Sequence, residues 1–200
     1  MLDISEFKGR FGFGAMRLPM RDGEPDFELC NQMFDRFLEA GLNYFDTAHV
    51  YLGGKSEIAL RESLVKRHPR KSFFLVDKLT HGTFRDPASI RKVFQEELDA
   101  CGVEYLDLLL AHAVNAAHYE MYERQGVFET AKELVAEGRA RHFGISYHDG
   151  PELLERILCE HPEIEAVQLQ INYEDWESPS VQSRRVYEVA TDHGVRVGRF

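Results

Sequence analysis

Gly12-Phe13-Gly14-Ala15-Met16-Arg17-Leu18 is the stretch on which the fold turns. A doubly wound sheet that cradles a dinucleotide carries G-x-G-x-x-G between its first strand and first helix. Those glycines serve the tight turn, the close phosphate approach and the helix–strand contact. Here two glycines are followed by Ala15-Met16-Arg17-Leu18, and the third is missing. The segment reads instead as a first strand over 12–16 that ends at Met16.

Outward from it, short apolar runs recur at 42–45, 72–76, 105–110, 142–145 and 166–171, and another begins near 195. Their length and two-faced apolarity suit buried parallel strands. Helical patterns lie between them. Leu29, Cys30, Met33, Phe34, Phe37 and Leu38 follow the capping candidate Asp26 and precede Gly41, the signature of a helix with a polar start and a glycine stop. Asp86-Pro87, Gly150-Pro151 and Ser178-Pro179 each place a proline where a first helical turn has no partner for its N–H. Gly102, Gly138 and Gly194 mark helix ends. The strand starts recur at roughly thirty residues, the size of one βα unit, with no linker or low-complexity segment between them.

Alternating units with a parallel sheet form either an open doubly wound sheet or a closed barrel. Without the glycine fingerprint the barrel is expected: an α/β fold of the (β/α)8 TIM-barrel type, one domain over 1–200, with six strands and the start of a seventh. A closed barrel needs eight strands and typically about 250 residues, with phosphate sites after strands seven and eight. The last strands and helices are therefore expected to be missing. An edge left open in this way invites self-association.

The formal net charge of -10 and the pI near 5.4 argue against nucleic acid as a partner, because phosphate binding draws on clustered Lys and Arg. The densest basic spot, Lys66-Arg67-His68-Pro69-Arg70-Lys71, reads as a solvated connection. Cys30, Cys101 and Cys159 are far apart and embedded in helical patterns, as expected of reduced, buried thiols in a cytoplasmic protein. The first residues show no apolar signal core, and no stretch reaches the roughly 18 apolar residues of a membrane helix. His49, His81, His118 and His148 show no ligand spacing with cysteine or carboxylate, so no metal is expected. Glu57 is expected simply to start a helix beneath the rim. Trp176 and Tyr173 read as rim packing or as the lining of a pocket.

The last residues of successive strands are Asp46, Lys78, His112, Ser146 and Gln170. In a βα barrel such positions converge on the face where loops build the active site. One Lys or His alone would signify little; five in series point to chemistry.

Phe45-Asp46-Thr47-Ala48-His49-Val50-Tyr51, continuing Leu52-Gly53-Gly54-Lys55-Ser56-Glu57, carries a family resemblance. With the VDKL lysine at 78, LLLAHA around His112, FGIS ending at Ser146 and VQLQINY around Gln170, the chain resembles the aldo-keto reductases over nearly its whole length. YLDLLLAHA and NYEDWESPS resemble the bacterial branch often fused to a C-terminal iron–sulfur domain. No iron–sulfur cysteine cluster is expected in this chain.

The resemblance implies an NADP(H)-dependent oxidoreductase that reduces aldehydes or ketones to alcohols. Tyr51 would donate the proton, a task for which an unperturbed phenol of pKa about 10 is poorly matched. Lys78 would stabilise the phenolate, Asp46 would hold the ammonium by ion pairing, and His112 would donate to the carbonyl oxygen. Ser146 and Gln170 would hold the nicotinamide carboxamide, with Met16 and Asp46 beside the cofactor. The expected partner is a small carbonyl substrate, with no nucleic acid and no membrane, and activity is expected to suffer from the missing phosphate loops. Two other readings stay open: a non-catalytic barrel that binds cofactor or partner, and an inactive fragment.

Overall fold

The computed structural model describes residues 2 and 7–199. Seven strands form one parallel sheet in chain order: β1 (Gly12–Gly14), β2 (Tyr44–Asp46), β3 (Phe74–Leu79), β4 (Leu106–Val114), β5 (Ala140–Tyr147), β6 (Ala166–Leu169) and β7 (Arg196–Arg199). Each strand pairs with the next, the order of a (β/α) barrel sheet and not of a doubly wound one, whose order reverses. A small antiparallel pair, Met20–Arg21 with Glu24–Pro25, follows β1.

Seven helices carry the crossovers: α1 (Phe27–Glu39), α2 (Lys55–Leu60), α3 (Pro87–Cys101), α4 (Ala116–Gln125), α5 (Val127–Ala136), α6 (Pro151–Glu160) and α7 (Ser183–Asp192). Asp26 caps α1 through its side chain at 3.2 Å from the Leu29 N–H. Asp86 and Ser89 form a reciprocal capping box at the start of α3, with Pro87 at the first turn. Each satisfies donors that a helix start leaves orphaned.

Period-two alternation divides the strand residues into two cores. Phe45, Leu75, Leu79, Leu109, Ala111, Phe143, Ile145, Val167 and Leu169 face the helices and join the large cluster with Phe34, Phe94, Leu98 and Leu154. Phe74, Val76, Leu108, Leu110 and Ala166 face the other way, with Leu2 and the partly buried Phe7 and Tyr44 packed against them. Tyr44 and Phe74 stack at 5.6 Å beneath the polar ends of their strands.

Several expectations are corrected. Ser178-Pro179 does not open a helix: Pro179 lies in a turn, and α7 begins at Ser183 after Gln182, whose φ of 53° is left-handed and breaks the helical path. Cys30 and Cys101 are buried free thiols, but Cys159 is exposed. The basic connection is more than a solvated run, because Arg70 pairs with buried Asp107 at 2.7 Å and stacks on Tyr105 at 4.1 Å. Among the described residues no helix is long and apolar enough to cross a membrane. Residues 1 and 3–6 of the N-terminal segment read as lacking a signal core, and Phe200 at the other end, lie outside the described residues.

Candidate active site

Asp46, Lys78, His112 and Ser146 belong to the inward set of their strands, at the ends toward which the parallel strands run. Lys78 sits two residues after Val76 and Asp46 two after Tyr44, so the apolar floor and the polar rim alternate in register. Lys78 is 1% exposed, and its ammonium has three partners for its three protons. Nζ donates to Asp46 Oδ1 at 2.6 Å, to the Thr47 carbonyl at 2.6 Å and to Tyr51 Oη at 3.3 Å. It also lies 4.8 Å from the Tyr51 ring centre. Burial alone would push the ammonium pKa down, but Asp46 and then Tyr51 more than reverse this, so it ends above the usual lysine value. Lys78 therefore stays charged while fully desolvated.

Tyr51 reaches this lysine because the backbone turns sharply after it. Leu52, Gly53 and Gly54 all have positive φ, 52°, 65° and 86°, a run that the two glycines make accessible. The turn is tied down from below. Ser56 Oγ donates to the Ala15 carbonyl at 2.9 Å and lies 2.6 Å from Thr47 Oγ1, fixing the loop to the end of β1.

His112 faces Tyr51 across the mouth, with ring centres 5.7 Å apart and nearly perpendicular. Like Lys78 and Ser146, which Leu79 and Tyr147 follow, it is not the last residue of its strand: β4 runs on to Val114, and the register with β5 shifts between Ala111 and Val114. Ala113 has a φ of 54° at this irregularity, as at the bulges that re-aim side chains near active sites. His112 Nδ1 lies 2.8 Å from Thr80 Oγ1. Burial first, then Lys78 and the neighbouring His148, His81 and His118, push its pKa down to about 3. The imidazole is neutral near pH 7. When Thr80 donates to Nδ1, Nε2 carries the proton and is the donor.

The remaining predicted residues separate. Ser146 is buried one residue before the end of β5, and among the described residues its hydroxyl has only a long contact to His148 Nε2, 3.5 Å. Met16, in a short 3-10 turn after β1, is 49% exposed and not a core residue. Gln170 is displaced. Strand β6 stops at Leu169, and Asn172 Oδ1 accepts from the Glu174 and Asp175 N–H groups at 2.9 Å each. That turn brings in Asp175, which takes the exposed Gln170 Nε2 at 2.7 Å. Gln168 faces the mouth instead: it is 7% exposed, and its Nε2 donates to Asp46 Oδ2 at 2.9 Å. The alternation of β6 marked Gln168 as sharing the face of Ala166, and counting from an overlong strand hid it. Tyr173 is 97% exposed, and Trp176 packs on Tyr187 at 5.8 Å.

The same fold recurs in known proteins. The model of the family described as Aldo/keto reductase family matches residues 10–198. A Glycine max protein named "Probable aldo-keto reductase 1" is 29% identical over 80% of this chain and 47% of its own length. An NAD(P)H-dependent D-xylose reductase of Scheffersomyces stipitis is 26% identical over 94% of this chain and 62% of its own. The chain thus spans between about half and three-fifths of these two relatives. Among solved structures, a Klebsiella pneumoniae aldo-keto reductase in complex with NADPH superimposes with a TM-score of 0.76 at 20% identity, covering 95% of this chain and 62% of that one. A Bacillus halodurans aldo-keto reductase in its holo form gives 0.73 at 24% identity, covering 96% and 61%.

Proposed function

Because the chain belongs to the aldo/keto reductase family, we propose that its described residues form the carbonyl-reducing end of an NADP(H)-dependent oxidoreductase that converts aldehydes or ketones to alcohols. The observation that carries this reading is the buried Lys78 ammonium, bonded at once to Asp46, to the Thr47 carbonyl and to the Tyr51 hydroxyl.

NADP(H), when bound, supplies the hydride. This chain's residues supply the proton and the charge. Tyr51 gives its proton to the alkoxide forming on the substrate oxygen. The phenolate left behind is stabilised by the ammonium 3.3 Å away, in a site dry enough for that attraction to count. Asp46 keeps the ammonium in place, while Gln168 holds the second carboxylate oxygen. His112, neutral, donates to the same substrate oxygen and favours the charge that develops there.

The residues present also fit a nicotinamide carboxamide. Ser146 offers a buried hydroxyl with one long contact, and Gln168 offers an amide on the same rim. We assign the carboxamide to these two in place of Gln170, and place Met16, exposed on the rim, against the cofactor.

The test is carbonyl-dependent NADPH oxidation by the protein as its gene encodes it, across a panel of aromatic aldehydes and small ketones. Gln168→Leu is expected to raise the KM for NADPH about tenfold, the worth of one hydrogen bond to a polar group. Gln170→Ala should leave it within about twofold. No carbonyl-dependent oxidation with any member of the panel would leave a cofactor- or partner-binding barrel as the better reading. The reverse ranking of the two glutamines would return the carboxamide to Gln170.

A further inference from the structure

Behind Lys78, on the other side of β3, lies a second group of polar side chains that the proposed reaction does not use. Asp77 is outward-facing by alternation and 0% exposed. Glu57 reaches it from α2, and Glu97 and Cys101 come from α3. The last two are one helical turn apart, so they share the face that packs on the strand. Glu57 is 1% exposed, and Glu97 and Cys101 are 0% exposed.

Burial raises the pKa of all four groups, Glu57 to about 7, so in this dry layer they hold protons that a cation can replace. The hydrogen bonds present leave part of the group unsatisfied. Asp77 Oδ1 takes the Lys78 N–H at 2.8 Å, Asp77 Oδ2 takes a weak bond from the Cys101 thiol, and Glu57 Oε1 lies 3.3 Å from His49 Nδ1. Both oxygens of Glu97 are buried without a hydrogen-bond partner among the described residues, and burial first, then the nearby Asp77 and Glu57, raise its pKa.

The spacing is that of a metal site. One ligand atom each from Glu57, Asp77 and Cys101 lies within 4.8 Å of the others. Cys101 Sγ and Asp77 Oδ2 are 3.5 Å apart. A tetrahedral zinc with Zn–S of about 2.3 Å and Zn–O of about 2.0 Å sets those two ligands about 3.5 Å apart. A thiolate among the ligands selects zinc over magnesium or calcium.

We infer that Glu57, Asp77 and Cys101 hold a zinc ion between α2, α3 and the outer face of β3, with the unpartnered Glu97 carboxyl beside it. Binding displaces the protons carried by the thiol and the carboxyls. All three ligands are buried, so the ion is shut off from the mouth and its role is structural. It clamps the helix that follows the Tyr51 turn to the strand that carries Lys78, and Glu57 extends the clamp to His49 in the 47–50 segment. The inference does not depend on the proposed reduction.

The test uses the intact protein, stripped with a chelator and reloaded with cobalt or zinc. One cobalt per chain with a thiolate-to-cobalt charge-transfer band is expected. That band should be lost in Cys101→Ser and kept in Cys159→Ser. The second variant matters because Glu155, Cys159 and His193 form another potential ligand set at the surface. Zinc at a hundred times its Kd should raise the unfolding midpoint by about 5–10 °C. Wild-type protein that takes up no metal and shows no band would overturn the inference, even if the variants fail to fold. So would a band that disappears with Cys159 and survives loss of Cys101.

Discussion

Lys78 shows how one residue organises the mouth. A buried ammonium must use all its donors, and its three bonds fix Asp46, the Thr47 backbone and Tyr51 relative to one another. His112 is held differently, by burial and by its neighbours' charge. Its pKa in the folded chain is about 3, against about 6.5 in an unfolded one. As pH falls below 6.5 the unfolded state takes a proton that the folded state refuses, so this residue's contribution to stability is lost between about pH 6.5 and pH 3. The slope reaches at most about 1.4 kcal/mol per pH unit. Denaturant unfolding of wild type and His112→Gln at pH 7.5, 6 and 5 should show the wild type losing stability relative to the variant as pH falls. A difference that stays constant over that range would contradict a neutral, buried imidazole.

At the scale of elements, the strands place the functional groups and their close approach is selective. A Cβ on Gly144 of β5 would lie 2.4 Å from the Ala166 carbonyl and 3.0 Å from Leu110 Cδ2. Gly144→Ala should therefore cost about 1–3 kcal/mol, read from the urea midpoint at unchanged m-value. A cost below about 0.5 kcal/mol would mean the two strands can part without penalty. Much of this layer was legible in the sequence. Apolar runs located the sheet strands, and Asp26, Asp86-Pro87 and Gly150-Pro151 marked three helix starts. Less legible were the places where tertiary context overrides local pattern. The left-handed Gln182 displaces the helix expected at Ser178-Pro179, the Asn172 turn ends β6 before Gln170, and the irregularity at Ala113 carries β4 past His112. The acidic group around Asp77 left no sequence signal, because its members come from α2, β3 and α3 with no shared spacing.

At the scale of the whole molecule, the seven strands curve so that one polar rim collects residues more than a hundred positions apart, as in the Gln168–Asp46 bond. Among the described residues β1 and β7 each pair on one side only. A polypeptide of these 200 residues alone is thus expected to self-associate: its sedimentation mass should rise with concentration, and a constant monomer mass would contradict this. The central claim concerns the rim, where a phenol beside a desolvated ammonium acts as the proton donor. Tyr51→Phe in the protein as its gene encodes it should lower kcat for carbonyl reduction about 10²–10⁴-fold, the usual worth of a positioned general acid, with the Kd for NADPH unchanged within about twofold. A variant that keeps more than about a tenth of wild-type kcat would contradict the account.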